Sequence, residues 1–399
     1  MPFFDTIELL PDDPILGLSA IFKADPHKEK VNLGIGVYQD SEGKPYVLNS
    51  VKEAEALIQK KLLSKEYLPI EGDPEYLEEG LKLVYGSHSK LLHAGEIAAA
   101  QSIGGSSALR IGGDFLAQEL SRIIFLSDPS WSNHKGIFSR AGMKIEYYKY
   151  YDETQHRIDF AGLCASIKLM PPASVILLQP CCHNPSGMDL SFDQWQILSD
   201  LIKKQRIFPF FDIAYQGFGQ DIEEDAKPIR YFVEQGHELI VAQSFSKNFG
   251  LYGERVGIVS FVTHNKETAK KILSKIKLII RESYSNPPLH GAKIVATILK
   301  TPALKTEWMN EVQNMRNRVK EMRQSLSADL VEKSIHKDFT FLSRQQGLFS
   351  FSGLNKQQVM RLREERGVYM VSNGRINVAG LNPGNLDYVI DSILSVTNS

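Results

Sequence analysis

Short apolar runs recur through the first two-thirds of the chain, and each stops at a cluster of polar or small residues. Runs over 122–126, 174–179, 207–211 and 239–243 are nearly free of polar positions, which predicts strands buried on both faces of a parallel sheet. The stretch 31–38 also reads as a strand, reached from Asp12-Asp13-Pro14; its glycines Gly34 and Gly36 mark close approach of the backbone, or else an ordinary strand ending in a turn. A different period governs other stretches. Val51, Ala54, Leu57, Ile58 and Leu62 fall at helical spacing over 50–63, and 277–281 reads as a helix stopped by Pro287-Pro288. Thr301-Pro302 opens a helix of about 302–333, with Thr301 as cap and Pro302 in the first turn. Its apolar stripe is Leu304, Trp308, Val312, Met315, Val319, Met322, Leu326 and Leu330.

Strands alternating with helices place the chain in the α/β class with a mostly parallel central sheet. The long helix predicts a link between a large domain over 46–302 and a smaller α+β domain built from 1–45 plus 303–399. Strand candidates at 348–352 and 375–380 belong to the latter. The length of 399 residues allows this division. A hydrophobic share of 43% with 23% charged residues is ordinary for a globular protein, and the net charge of −1 argues against nucleic acid or an anionic membrane as main partner. No apolar run is long enough to span a bilayer. The opening Met1-Pro2-Phe3-Phe4-Asp5 lacks a basic region and a cleavable apolar core, so no export signal is expected. Cys164, Cys181 and Cys182 are an odd count with a vicinal pair, which points to a reducing cytoplasm. Cys181-Cys182-His183 lacks a second ligand pair at a zinc spacing, and no metal is expected.

The chemistry gathers where the apolar runs end. After 239–243 comes Ser244-Phe245-Ser246-Lys247-Asn248-Phe249-Gly250, and Arg255 starts the next run. Two hydroxyls and a guanidinium make a phosphate seat. A lysine beside it, desolvated by Phe245 and Phe249, has a lowered pKa and forms a Schiff base. A phosphate-bearing aldehyde held as an imine is pyridoxal phosphate chemistry. Gly104-Gly105-Ser106 before helix formers is a second phosphate-binding candidate, through free N–H groups at a helix start. Trp131 follows the strand at 122–126 and offers a ring face to a flat ligand, or else packs on the core. Asn184-Pro185-Ser186-Gly187 is a turn, with or without a cis peptide bond, that aims Asn184 inward. Asp212 closes a very apolar run; it needs a cationic partner such as a pyridinium, unless it caps a helix. Tyr215 lies within reach of the same ring, while Tyr67 is open between core aromatic and ligand contact. Taken alone, Arg375 after Ser372-Asn373-Gly374 reads as a surface charge at a strand start. Ligands of open parallel sheets collect outside the carboxyl ends of strands, and all the strand-end candidates sit there.

These motifs resemble the aspartate/aromatic aminotransferases of fold type I, the class I pyridoxal-phosphate-dependent family, over nearly the entire chain. The resemblance rests on Cys181-Cys182-His183-Asn184-Pro185-Ser186-Gly187, Asp212-Ile213-Ala214-Tyr215-Gln216-Gly217-Phe218 and Ser244-Phe245-Ser246-Lys247-Asn248-Phe249-Gly250-Leu251-Tyr252. It implies that Lys247 forms the internal aldimine and shuttles the proton, with Asp212 on the pyridine nitrogen and His134 behind it. It further implies Asn184 and Tyr215 on the ring oxygen, Trp131 stacked on the ring, and Gly105, Ser106, Ser244, Ser246 and Arg255 on the phosphate. Arg375 would hold the substrate α-carboxylate near Gly36, Trp131 and Asn184. In a homodimer with shared sites, Tyr67 and Arg281 would come from the neighbouring subunit, Arg281 to hold a distal carboxylate. Ser106 and the loop 67–72 look like the aromatic branch; Val37 and Asn286 look like the aspartate branch; Ser186 stands where Thr is commoner. 2-Oxoglutarate is the expected acceptor. The rivals are a β-lyase or decarboxylase of the same fold, which intact Arg281 and Arg375 argue against, and a non-catalytic nucleotide-binding α/β module, which would be colourless.

Overall fold

The computed structural model describes residues 3–10, 16–61 and 63–398. Met1, Pro2, the stretch Asp12-Asp13-Pro14 and Leu62 lie outside the described residues. The apolar runs become the centre of a seven-stranded sheet: β1 (Ile97–Ile103), β2 (Ile123–Asp128), β3 (Lys144–Lys149), β4 (Val175–Leu178), β5 (Phe208–Ile213), β6 (Leu239–Ser244) and β7 (Val256–Val262). The spatial order is β1-β7-β6-β5-β4-β2-β3. Every pairing is parallel except those of β7, which runs against both β1 and β6. The carboxyl ends of β1 to β6 and the beginning of β7 therefore share one edge. β4, β6 and β7 are buried at every position, as continuous apolar runs require. Alternate residues feed two cores: Phe210, Ile240 and Val259 pack with Leu109 and Phe138, while Phe211, Val241 and Ile258 pack into the other.

Several boundaries differ from the sequence expectation. β5 continues through Asp212, so that carboxylate belongs to a strand and caps no helix. Arg255 stands just before β7 with φ +54°. The run at 31–38 is a strand only over Val31–Asn32, pairing in parallel with Val368 and Tyr369. Beyond it the chain follows other partners, and the close approach expected at Gly36 is present: a Cβ there would lie 2.8 Å from the Phe349 ring. The first amphipathic helix, α1 (Asn49–Lys60), buries Val51, Ala54 and Ile58, but Leu57 is 39% exposed. The helix before the double proline is longer than expected, α2 (Lys266–Ser283), and ends ahead of Pro287.

The long helix, α3 (Pro302–Lys333), buries all eight residues of the predicted stripe. Thr301 occupies the cap position without a capping side-chain hydrogen bond. Two of its residues reach directly toward the lysine loop and α1. Trp308 donates its indole N–H to the Asn248 carbonyl at 2.7 Å and stacks on Phe249 at 4.5 Å. Glu311 accepts from the Asn49 and Ser50 amides at 2.6 and 3.2 Å, placing an anion at the start of α1. Trp308→Ala is expected to destabilise the protein by about 3–5 kcal/mol through the cavity left behind. Trp308→Phe keeps one six-membered ring and should cost less, about 1–3 kcal/mol, from the smaller cavity and the Asn248 carbonyl left without its donor, as denaturant titration of both variants will measure.

The remaining C-terminal chain pairs Phe349–Phe351 with Arg375–Asn377, antiparallel, and adds the helices Lys356–Arg366 and Leu386–Thr397. The seven-stranded sheet lies wholly within 97–262. We propose on that basis the division into a large unit over 46–302 and a smaller one from 1–45 plus 303–399, joined through α3.

Candidate active site

The edge formed by the ends of β1 to β6 holds a cavity of about 230 Å³. Lys247 enters it from the loop after β6, with Ser244 and Ser246 beside it. Phe245 and Phe249 are buried beneath this loop. The lysine amine lies 4.9 Å from the centre of the Tyr215 ring. Desolvation lowers its pKa to about 8, helped by Arg255 and Arg375 and opposed by Asp212. A fraction of the amine is therefore uncharged near neutral pH and available as nucleophile or base.

At one end of the cavity, hydroxyls, amides and a guanidinium converge. Arg255 Nη1 lies 3.4 Å from Ser246 Oγ and also reaches the Tyr252 carbonyl. Its other nitrogen reaches the Ile103 carbonyl, at the end of β1. Helix α4 (Gly105–Glu119) starts at the same point, with Gly104 at φ +82°. A Cβ on Gly104 would collide with the Arg255 guanidinium at 2.3 Å, so only glycine lets that cation close over the helix start. Gly105 and Ser106 line the cavity and present the first amides of α4.

At the opposite face stands Asp212, 7% exposed, accepting from His134 Nε2 at 2.9 Å. The other imidazole nitrogen of His134 meets Ser130 Oγ at 2.8 Å, so the ring is held from both sides. Trp131, which precedes the helix carrying His134, packs edge-on against that imidazole at 5.1 Å and turns toward the cavity. Asn184 follows β4 in a cis Asn184-Pro185 turn. Its Nδ2 lies 3.5 Å from the Tyr215 hydroxyl. Burial raises the Tyr215 pKa far above its ordinary value, which keeps the phenol protonated.

Arg375 is 4% exposed, which overturns its reading as a surface charge. Tertiary packing against Phe349, 4.2 Å from the ring centre, covers a residue whose local sequence looks like a turn. Its guanidinium reaches the Gly34 carbonyl at 2.8 Å and Asn184 Oδ1 at 3.3 Å, while Nε is buried without a partner. Arg375 thus stands directly behind Asn184, a wall residue of the cavity around Lys247, which Gly36 also lines. Tyr67 and Arg281 are not brought into it. Tyr67 is 89% exposed and borders a separate groove with Leu68 and Asn286. Arg281 is exposed at the end of α2 and donates to Ser285.

Two polar lining residues, Gln179 and Tyr252, carry no role in the sequence reading. Gln179 clamps the Asn184 backbone, its Oε1 accepting from the Asn184 amide at 2.9 Å and its Nε2 donating to the Asn184 carbonyl at 3.3 Å. The Tyr252 hydroxyl accepts from the Tyr38 amide at 2.9 Å. Both stand within motifs already singled out, Gln179 at a strand end and Tyr252 closing the lysine stretch. Cys181, Cys182 and Asp225 bring potential ligand atoms within 4.8 Å of one another, a juxtaposition that sequence spacing hides. Asp225 is already engaged by the amides of Gly217, Gly219 and Gln220, and both His183 nitrogens are engaged by serine hydroxyls.

The family model for aminotransferase class I and II matches residues 28–393. This chain belongs to that family. The aminotransferase is 47% identical to an aspartate aminotransferase of Salmonella typhi over 98% of its own length and 100% of the relative's. Among solved structures, it superposes with a TM-score of 0.96 on an aromatic-amino-acid aminotransferase from Burkholderia pseudomallei covalently bound to pyridoxal phosphate, at 45% identity over 100% of both chains. It matches the cytoplasmic aspartate aminotransferase of Saccharomyces cerevisiae with a TM-score of 0.97, at 38% identity over 99% of this chain and 98% of that one. The aminotransferase thus has near-full-length relatives on both the aspartate and the aromatic side.

Proposed function

We propose that this aminotransferase uses pyridoxal 5′-phosphate to move an amino group between an L-amino acid, aspartate and/or aromatic, and 2-oxoglutarate, giving the 2-oxo acid and L-glutamate. The observation that carries the reading is one cavity whose walls hold both the Lys247 amine and the Asp212 carboxylate, with the Ser244, Ser246 and Arg255 seat at its rim. The residues fit the cofactor on their own chemistry. A buried carboxylate held from one side by His134 and lining the cavity suits a ring nitrogen that carries a proton. The glycine-opened helix start beside Arg255 suits a phosphate. The cofactor, when bound, supplies a carbonyl for the amine and an electron sink for the Cα carbanion.

The protein does the rest. Lys247 holds the cofactor and, once released by substrate, takes the proton from Cα as general base. Asp212, fixed by His134, keeps the ring nitrogen protonated. Trp131 covers the ring face. Asn184 and Tyr215 donate hydrogen bonds to the ring oxygen. Gly105, Ser106, Ser244, Ser246 and Arg255 bind the phosphate. Arg375 grips the substrate α-carboxylate, its free Nε and neighbouring nitrogens forming the fork that a carboxylate fits, with Gly36, Trp131 and Asn184 around it.

Tyr67 and Arg281 act in a homodimer, each reaching the site of the neighbouring subunit. Support comes from the exposure of Tyr67 beside a groove of about 730 Å³ whose walls include Ile58, Leu63, Leu68, Pro287 and Leu289. Asn286 ties the segment after Arg281 to the Leu68 carbonyl at 2.7 Å, so both residues share one surface. The three cysteines are free, which suits a reducing cytoplasm as the site of action. No helix among the described residues is long and apolar enough to cross a membrane.

A panel of aspartate, tyrosine and phenylalanine as donors, each with 2-oxoglutarate, tests the reaction. L-Glutamate and the matching 2-oxo acid should form in equal amounts; release of ammonia and pyruvate instead would identify a lyase. A pH effect follows from Lys247. Its folded pKa of about 8 lies below the ordinary 10.5, so between those values the unfolded chain binds more protons. The cofactor-free protein should gain stability as pH rises through that window, with the full penalty present below it. Lys247→Met removes the penalty. It should stabilise the cofactor-free protein at pH 7 by on the order of 1–3 kcal/mol, the gain fading as pH rises from about 8 and gone by about 10.5, as thermal unfolding at either end of that window will report.

A further inference from the structure

The helix α3 carries Arg316, Lys320 and Arg323 at spacings of four and three residues, so all three leave it on one side. Like charges at this spacing repel, and a helix surface ordinarily intersperses them with carboxylates. Here the facing segment adds another cation, Arg344, from the short turn Thr340–Arg344. Between them lies a cavity of about 500 Å³ with no acidic residue in its walls. Among the described residues, no ion pair includes any of these four cations. Asp338 feels the charge of Arg344 and half-buried Asp189 feels that of Arg323, but neither carboxylate lines the cavity.

The four cations differ in how far they are committed. Arg323 is buried, with Nε on Ser350 Oγ at 3.0 Å and Nη2 on the Gly347 carbonyl. Arg316 gives one long hydrogen bond, 3.4 Å, to the Gly217 carbonyl. Lys320 and Arg344 are exposed and, among the described residues, make neither a side-chain hydrogen bond nor an ion pair. The arrangement is a positive wall fixed at its base and free at its mouth. Guanidinium forks with a point-charge lysine are the donor set that recognises phosphate oxygens, and the volume suits a small organic ligand. The cavity shares no lining residue with the one around Lys247.

We propose that this pocket binds a small phosphate-bearing anion, at a site separate from the seat at Ser244, Ser246 and Arg255. The probe is tripolyphosphate, titrated calorimetrically into cofactor-loaded enzyme with saturating succinate, a non-reacting dicarboxylate that fills the substrate carboxylate sites. One saturable binding step per chain is expected, weakening as salt rises. The double charge reversal Lys320→Glu/Arg344→Glu should weaken it at least ~tenfold, whereas Lys320→Arg should leave it within about twofold. Both substitutions lie at exposed positions, so transamination in the absence of the probe should be unchanged and reports that the variant is folded. Absence of a saturable step with the unaltered enzyme, or equal affinity in the charge-reversed one, overturns the proposal.

Discussion

Lys247→Ala is expected to lower kcat by roughly 10²–10⁴-fold or more, because the change removes the proposed covalent tether and general base together. The amine is the group in the cavity whose pKa falls to about 8, poised between charged and neutral forms. Tyr215 is the other proton carrier nearby, and burial holds it protonated far above its ordinary range. The variant should also lose the pH-dependent visible absorption of a lysine imine, while its melting profile stays cooperative. A shared-site dimer adds a second readout. Lys247→Ala and Arg281→Asp homodimers should each be inactive with dicarboxylate donors. After subunit exchange between equal amounts, about a quarter of the sites combine an intact Lys247 with an intact Arg281 from the other chain, so activity should return to about that level. No recovery after verified exchange would exclude the shared arrangement.

Arg375→Ala should reduce kcat/KM for every amino donor by about 2–5 kcal/mol, the usual result of removing one partner from a buried charge-assisted pair. Arg375 is buried, and its Nε has no protein partner. The rest of its guanidinium is held by Gly34 and Asn184, so the fork is fixed before a carboxylate arrives. Cofactor absorption should be retained, since Arg375 belongs to neither the proposed phosphate seat nor the proposed ring contacts. Arg375→Lys keeps the charge but not the paired geometry and should recover only part of the loss. Steady-state kinetics with aspartate and tyrosine measures both; an unchanged kcat/KM for Arg375→Ala would remove Arg375 from substrate binding.

The sheet and most of its rim were legible because buried parallel strands leave continuous apolar runs, and a rim residue is whatever polar group ends such a run. Lys247, Asp212 and Asn184 follow from that rule alone. Arg375 does not: its neighbours form a turn, and its burial comes from Phe349 and the segment near Gly34, both distant in sequence. The cap on α1 was illegible for the same reason, since the carboxylate is Glu311 from another helix. The strand expected over 31–38 shrank to two residues because Arg375 and Asn377 take up the backbone carbonyls of Gly34, Ile35 and Val37. Local pattern reports burial well and says little about which remote group satisfies a given donor.

A parallel strand is ordinarily followed by a crossover of a dozen or more residues before its chain re-enters the sheet. After β6 the polypeptide instead doubles straight back into β7, and the two are laced together from Gly257 opposite Ser244 to Val262 opposite Leu239. The stretch bearing Lys247 is thus a bight sewn shut at its neck by the sheet, with Trp308 of α3 holding its far side. The ladder amides at that neck should exchange with solvent as one slow group, released only when the middle of the sheet itself comes apart.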